Sequence, residues 1–137
     1  MKCVIDTNII LDVFLAQEPF CAASKKVLHL CESRKIHGYI PASSATDIFY
    51  VVRKRLGNPE KAYDALGQVL NFVKVLTVTN ENVKTAFEKR SKDFEDCLIA
   101  TCAKANRCDA IVTRNKKDFQ DFDIALFTPE ELLSELF

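Results

Sequence analysis

The amino-acid sequence predicts a three-layer α/β fold, a mostly parallel central sheet flanked by helices, and three observations lead there. Short apolar runs rich in β-formers recur along the chain, stretches with helical apolar spacing separate them, and most runs close on Asp, Thr or Pro. Strands joined through helices need crossover connections, which favour parallel pairing and cover both faces of the sheet. The 137 residues suit one domain spanning 1–137, long enough to bury a core without staples.

The first strand is expected at Lys2 to Asp6 (KCVID), bounded by the polar Asp6-Thr7-Asn8, with helix from about Asn8. Cys21 to Lys35 places Val27, Leu28, Leu30 and Cys31 near helical spacing, and His37 to Pro41 offers the second strand. Ser43 and Ser44 supply capping hydroxyls for a helix to Leu56. Asn58-Pro59 starts another helix, Glu60 to Asn71, because Asn caps well and proline suits a first turn. Val73 to Val78 reads as strand. Helices then cover Asn80 to Arg90 and Glu95 to Asn106, and Asp109 to Thr113 and Ile124 to Phe127 complete the strands. Thr128-Pro129-Glu130-Glu131 combines cap, first-turn proline and capping-box glutamate ahead of a terminal helix.

Composition narrows the class. Hydrophobic residues at 48% and charged residues at 28% belong to a soluble globular protein rather than a disordered one. No apolar run approaches the roughly 18 residues of a membrane span, and no basic-then-apolar leader opens the chain, so the expectation is a cytoplasmic protein without a membrane partner. Six cysteines form no C-x-x-C pair and have no histidine at ligand spacing, which points to reduced, mostly buried thiols. Lys plus Arg and Asp plus Glu are both 19, so net charge carries no nucleic-acid signal and local placement has to be read instead.

In parallel sheets the ligand crevice lies beyond the carboxyl ends of the strands. Asp6 ends the first strand and Asn115 follows the Asp109 to Thr113 strand, so both are expected to look into that crevice. Asp47 is expected in the first turn after the second strand, and Asp93 and Asp96 at a helix N-terminus. Taken singly, each Asp also suits a cap or a first turn. Taken together, converging carboxylates repel one another unless a cation intervenes, and all-oxygen ligands suit magnesium or manganese rather than zinc.

These residues carry a family resemblance. Val4-Ile5-Asp6-Thr7-Asn8-Ile9-Ile10-Leu11-Asp12 resembles the first motif of PIN domains, Asp93-Phe94-Glu95-Asp96-Cys97-Leu98-Ile99-Ala100 their third, and Ile111-Val112-Thr113-Arg114-Asn115-Lys116-Lys117-Asp118-Phe119 their fourth. The resemblance covers nearly the whole chain. It implies a Mg2+- or Mn2+-dependent ribonuclease with a PIN-like fold, with RNA as substrate, an antitoxin protein as candidate partner and a homodimer as candidate assembly. It places the catalytic, metal-binding acids at Asp6, Asp47 and Asp96, with Asp93, Thr113, Asn115 and Asp118 as auxiliary residues. Two positions depart from the family pattern: the second acid is more often glutamate than Asp47, and Asn115 stands where the fourth motif has an acid. Asn115 is expected to face the crevice and Asp118 to act as a cap.

Basic residues flank the proposed centre, namely Arg53, Lys54 and Arg55 along the helix of Asp47, and Arg114, Lys116 and Lys117 around Asn115. Asn8, Arg53, Arg114 and Lys116 are expected to contact substrate phosphates, although such charges equally suit a solvated surface. His29 and His37 lie outside the motifs. The competing class is a catalytically weak PIN-like module that binds a protein. A phospho-receiver domain fits poorly, since the second and third strands carry no acid to phosphorylate, and no G-x-G-x-x-G follows a strand to bind a dinucleotide.

Overall fold

The computed structural model describes residues Met1–Phe137. In chain order the elements are β1 (Lys2–Ile5), α1 (Thr7–Phe14), α2 (Cys21–Glu32), β2 (His37–Pro41), α3 (Ala42–Leu56), α4 (Pro59–Phe72), β3 (Val73–Leu76), α5 (Asn80–Glu88), α6 (Phe94–Ala105), β4 (Ala110–Val112), a 3-10 turn (Lys116–Phe119), β5 (Ala125–Phe127) and α7 (Pro129–Leu136). All four strand pairings are parallel, in the order β3-β2-β1-β4-β5.

Alternation along the central strands produces the three layers. Cys3 and Ile5 of β1 and Val112 of β4 enter one apolar cluster, whereas Val4 and Ile111 enter the other, and all five are fully buried. Successive strand residues point to opposite faces, so burial of both parities requires helices on both sides. The first cluster includes Ile10 of α1, Val27 of α2, Ile48 of α3, Val69 of α4 and Leu132 of α7. The second includes Ala86 of α5, Leu98, Ile99 and Cys102 of α6, and Phe119 and Phe122. Gly38 of β2 permits α2 to lie close: a Cβ there would stand 2.6 Å from Cys31 Sγ.

Chain progress from β1 through β2 to β3 runs one way across the sheet, and from β4 to β5 the other. The direction therefore reverses between β1 and β4, where an open parallel sheet leaves a crevice beyond its carboxyl ends. Helix starts follow the sequence signals closely. Thr79 and Thr128 form capping boxes with Asn82 and Glu131, and Asn58 Oδ1 accepts from the Glu60 amide at 2.8 Å. Ser43 and Ser44, expected as caps of α3, lie inside its first turn instead, because the helix starts at Ala42 directly after extended Pro41. All six cysteines are free, with Cys3, Cys31, Cys97 and Cys102 buried. No helix is long and apolar enough to cross a membrane.

Candidate active site

Asp6 and Thr113 are the first residues beyond β1 and β4, and the pairing of Ile5 with Val112 sets them side by side. Thr113 Oγ1 donates to Asp6 Oδ2 at 2.8 Å and accepts from the Asn115 amide at 3.0 Å. Thr113 is fully buried and Asp6 is 4% exposed. The acid is thus delivered by the strand and held in one orientation by its neighbour.

A cavity of about 300 Å³ opens over it, lined by the carboxylates of Asp6, Asp47, Asp93, Glu95, Asp96 and Asp118, together with Thr7, Asn8 and Tyr50. The three expected acids and Asp93 therefore converge, and so does Asn8. Asp47 arrives from the second turn of α3 rather than the first, since that helix begins at Ala42. Asp93 is the N-cap of α6, its Oδ1 accepting from the Asp96 amide at 3.0 Å, which leaves Asp96 in the first turn. Burial of Cys97, Leu98 and Ile99 fixes that helix against the sheet, so its acidic start faces the crevice.

The fourth motif is arranged differently from expectation. Asp118 lines the cavity, whereas Asn115 is exposed and does not. Thr113 Oγ1 captures the Asn115 amide and bends the chain, and the Asp118 amide then donates to the Asn115 carbonyl at 3.0 Å. Fully buried Phe119 anchors the 3-10 turn and brings Asp118 over the site. Glu95 was absent from the expected set. Its signal is visible in the sequence, a third acid between Asp93 and Asp96 at a helix start, although spacing alone does not show which side of the first turn it occupies.

Two of the four expected substrate contacts have other partners. Arg114 Nε lies 2.9 Å from Oδ2 of Asp12, a residue 1% exposed, and the same oxygen accepts from Ser24 Oγ at 2.9 Å. The guanidinium also stacks on Phe20, 3.9 Å from the ring centre. Burial of Asp12 inside α1 demands a countercharge, and Arg114 supplies it, tying the fourth motif to the first. Lys116 Nζ bonds Glu131 Oε2 at 2.9 Å and so reaches α7. Arg53 lines an adjoining hollow with Tyr50, Lys54, Gly57 and Pro59, next to the acidic cavity rather than within it.

The electrostatics follow from six acids sharing one cavity. The Asp96 carboxyl is pushed up to about 7, first by burial and then by Asp93, Asp6 and Asp118. Burial raises Asp6 as well, against the opposing effect of the Thr113 hydrogen bond, and raises Glu95, with Asp47 adding to the shift. Thr7 Oγ1 is buried beside the acids without a partner. This all-oxygen donor set suits a hard divalent cation. No three acidic, histidine or cysteine side chains lie close enough together to hold an ion directly, so a cation bound here would keep water in part of its coordination shell.

Two outcomes follow from this geometry. Arg114→Ala should lower the unfolding free energy by about 3 kcal/mol, because Asp12 is left buried without its countercharge, while Lys117→Ala in the same loop should change it by less than about 0.5 kcal/mol. Equal effects in urea denaturation would show that the Arg114 pair contributes nothing structural. The raised Asp96 means that the folded protein holds a proton which the unfolded chain releases at the ordinary carboxyl value of 3.8. The resulting stability is fully present below that value and lost as pH rises through about 7. In chelator, the unfolding temperature of the parent should fall more from about pH 5 to about pH 8 than that of Asp96→Asn. Parallel pH profiles would remove Asp96 from the strained cluster.

Residues 2–117 match the family model described as PIN domain. Ribonuclease VapC1 of Aquifex aeolicus is 27% identical over 135 residues, covering 95% of this chain and 92% of that protein. Among solved structures, a toxin-antitoxin complex from Klebsiella pneumoniae aligns with a TM-score of 0.68 at 21% identity, over 93% of this chain and 97% of that one. The sarcin-ricin loop cleaving toxin VapC20 of Mycobacterium tuberculosis aligns at 0.65 and 17% identity, over 80% and 86%. With the family model spanning most of its length and its acids gathered at the sheet's switch point, the chain belongs to the PIN domain family.

Proposed function

We propose that this protein is a divalent-metal-dependent ribonuclease that hydrolyses RNA phosphodiester bonds. The observation that carries the reading is the convergence of Asp6, Asp47, Asp96 and Asp118 on one cavity in a PIN domain. Those four side chains would hold Mg2+ or Mn2+ in part through its water shell, with Asp93 and Glu95 close by, and the bound ion would supply Lewis acidity for hydrolysis and offset the phosphate's charge. Thr113 keeps the Asp6 carboxylate oriented toward the cavity. Asn8, on the cavity wall, is placed to donate its amide to a phosphate oxygen. Arg53 and Lys54, beyond Tyr50, would hold the RNA backbone without touching the reacting atoms. No covalent nucleophile is needed.

The likeness to a VapC ribonuclease and to a toxin-antitoxin complex supports a finer reading, a toxin of a toxin/antitoxin pair neutralised by a cognate antitoxin. A homodimer belongs to the same proposal, favoured by Leu56 and Tyr63, large apolar side chains exposed on α3 and α4. The alternative of a catalytically weak protein-binding module drew on Asn115 and Asp47, the two departures from the family pattern, and the presence of Asp118 at the cavity supports the nuclease reading over it.

Cleavage of a single-stranded RNA in Mn2+ provides the test. Asp6→Asn and Asp96→Asn should each lose at least about a hundredfold in rate with an unchanged circular dichroism spectrum. Asp47→Glu should remain active and Asp47→Ala should not, since the longer acid keeps the charge. Full activity in folded Asp96→Asn, or none in the parent, would sink the assignment.

A further inference from the structure

Beside the acidic cavity lies a second hollow, lined by Lys89, Arg90, Ser91, Lys92, Asp93, Lys117, Asp118, Asp121 and Phe122. Asp93 and Asp118 also line the acidic cavity, so the two spaces adjoin. The hollow continues in turn into a third, which shares Lys89 and Phe122 and adds Lys104. On the opposite side, Tyr50 connects the acidic cavity to the hollow of Arg53 and Lys54. The acidic centre is therefore adjoined by cation-lined hollows, one through Asp93 and Asp118 and one through Tyr50.

The charges along this arm lack acidic partners. The two ion pairs of the molecule are Arg114 with Asp12 and Lys116 with Glu131, so Lys89, Arg90, Lys92 and Lys117 have no acidic partner. Beyond the two acids shared with the centre, Asp121 is the arm's one further carboxylate. Lys89 Nζ lies 4.8 Å above the Phe122 ring and the Arg90 guanidinium 4.5 Å from the Phe87 ring, and Phe87 is 56% exposed. Phe122 is buried in the second apolar cluster, so Phe87, against which Arg90 rests, is the exposed ring beside these cations. A cationic hollow edged by an exposed aromatic suits a strand with accessible phosphates and unstacked bases. Duplex RNA, read mainly by its shape across the minor groove, has no free base to stack here.

We infer that the hollow between the end of α5 and the 3-10 turn is a binding arm for single-stranded RNA, in which Lys89, Arg90, Lys92 and Lys117 hold phosphates on one side of the cleavage site. This rests on the nuclease reading, and it transfers the phosphate-gripping role expected of Arg114 and Lys116 to residues without acidic partners. Arg53 and Lys54 hold the strand on the other side. The acids repel the RNA backbone, so cations on both flanks are what keep it across the centre.

Fluorescence anisotropy in EDTA measures binding of a labelled single-stranded oligoribonucleotide without cleavage. Lys89→Gln/Lys92→Gln is compared with Lys25→Gln/Lys26→Gln, which removes as much charge from exposed positions on α2 outside the groove. The groove variant should bind about tenfold more weakly at low salt, and its log-log salt dependence should be shallower by about 1.4, since each lost phosphate contact on a single strand removes about 0.7. The α2 variant should keep the parent slope. Identical behaviour of the two variants, no binding by the parent, or equal competition by duplex RNA would each overturn the arm. A parent that binds RNA through these lysines yet cleaves none in Mn2+ would refute the nuclease reading and leave the arm standing, whereas cleavage with an unaffected groove variant would do the reverse.

Discussion

The hydrogen bond from Thr113 to Asp6, reaching across the ends of two neighbouring parallel strands, is the contact on which the site depends. It is possible because Ile5 and Val112 are in register, which follows from burial of β1 and β4 on both faces: a slip of one residue would exchange the two apolar clusters. The same threonine oxygen receives the Asn115 amide, so one side chain both orients the central acid and starts the bend that carries Asp118 over the cavity. Arg114 completes the junction by neutralising Asp12, on the buried side of α1. First and fourth motifs, distant in sequence, thereby form one rigid corner.

Against this corner the other acids are brought by elements that have their own reasons to be there. Asp47 rides on α3, fixed by buried Ile48 and Val52, and Asp96 on α6, fixed by Cys97 to Ala100. Helix N-termini favour acids, yet gathering several around one partly buried cavity works against stability, and the upward shifts of Asp96, Asp6 and Glu95 are the sign of it. Carboxyls perturbed in this way by burial and by one another are characteristic of functional sites. The cations without acidic partners line the adjoining hollows rather than the acidic cavity, which on the proposed reading lets them hold phosphates that the acids repel.

Much of this was legible in the sequence because it rests on local rules. Apolar alternation located the strands, Asn58-Pro59 and the Thr128 capping box located helix starts, and acids placed after strands or at helix starts pointed to Asp6, Asp47, Asp93 and Asp96. What escaped depends on partners far along the chain. Nothing near Arg114 reveals that Asp12 is buried and needs it, and nothing near Lys116 reveals Glu131. The choice between Asn115 and Asp118 turned on a threonine oxygen capturing an amide and on the burial of Phe119, neither of which strand-end position encodes. The groove arm joins α5, α6 and the 3-10 turn, so its cations become neighbours only on folding.

Calorimetric titration with Mn2+ at neutral pH tests most directly whether the acids form a cation centre completed by the fourth motif. The parent should bind the ion, Asp118→Asn should weaken it by at least about tenfold, the scale at which residues supporting a metal site act, and Asn115→Ala should match the parent. No binding by the parent, or loss of affinity in Asn115→Ala with none in Asp118→Asn, would contradict this arrangement of the site.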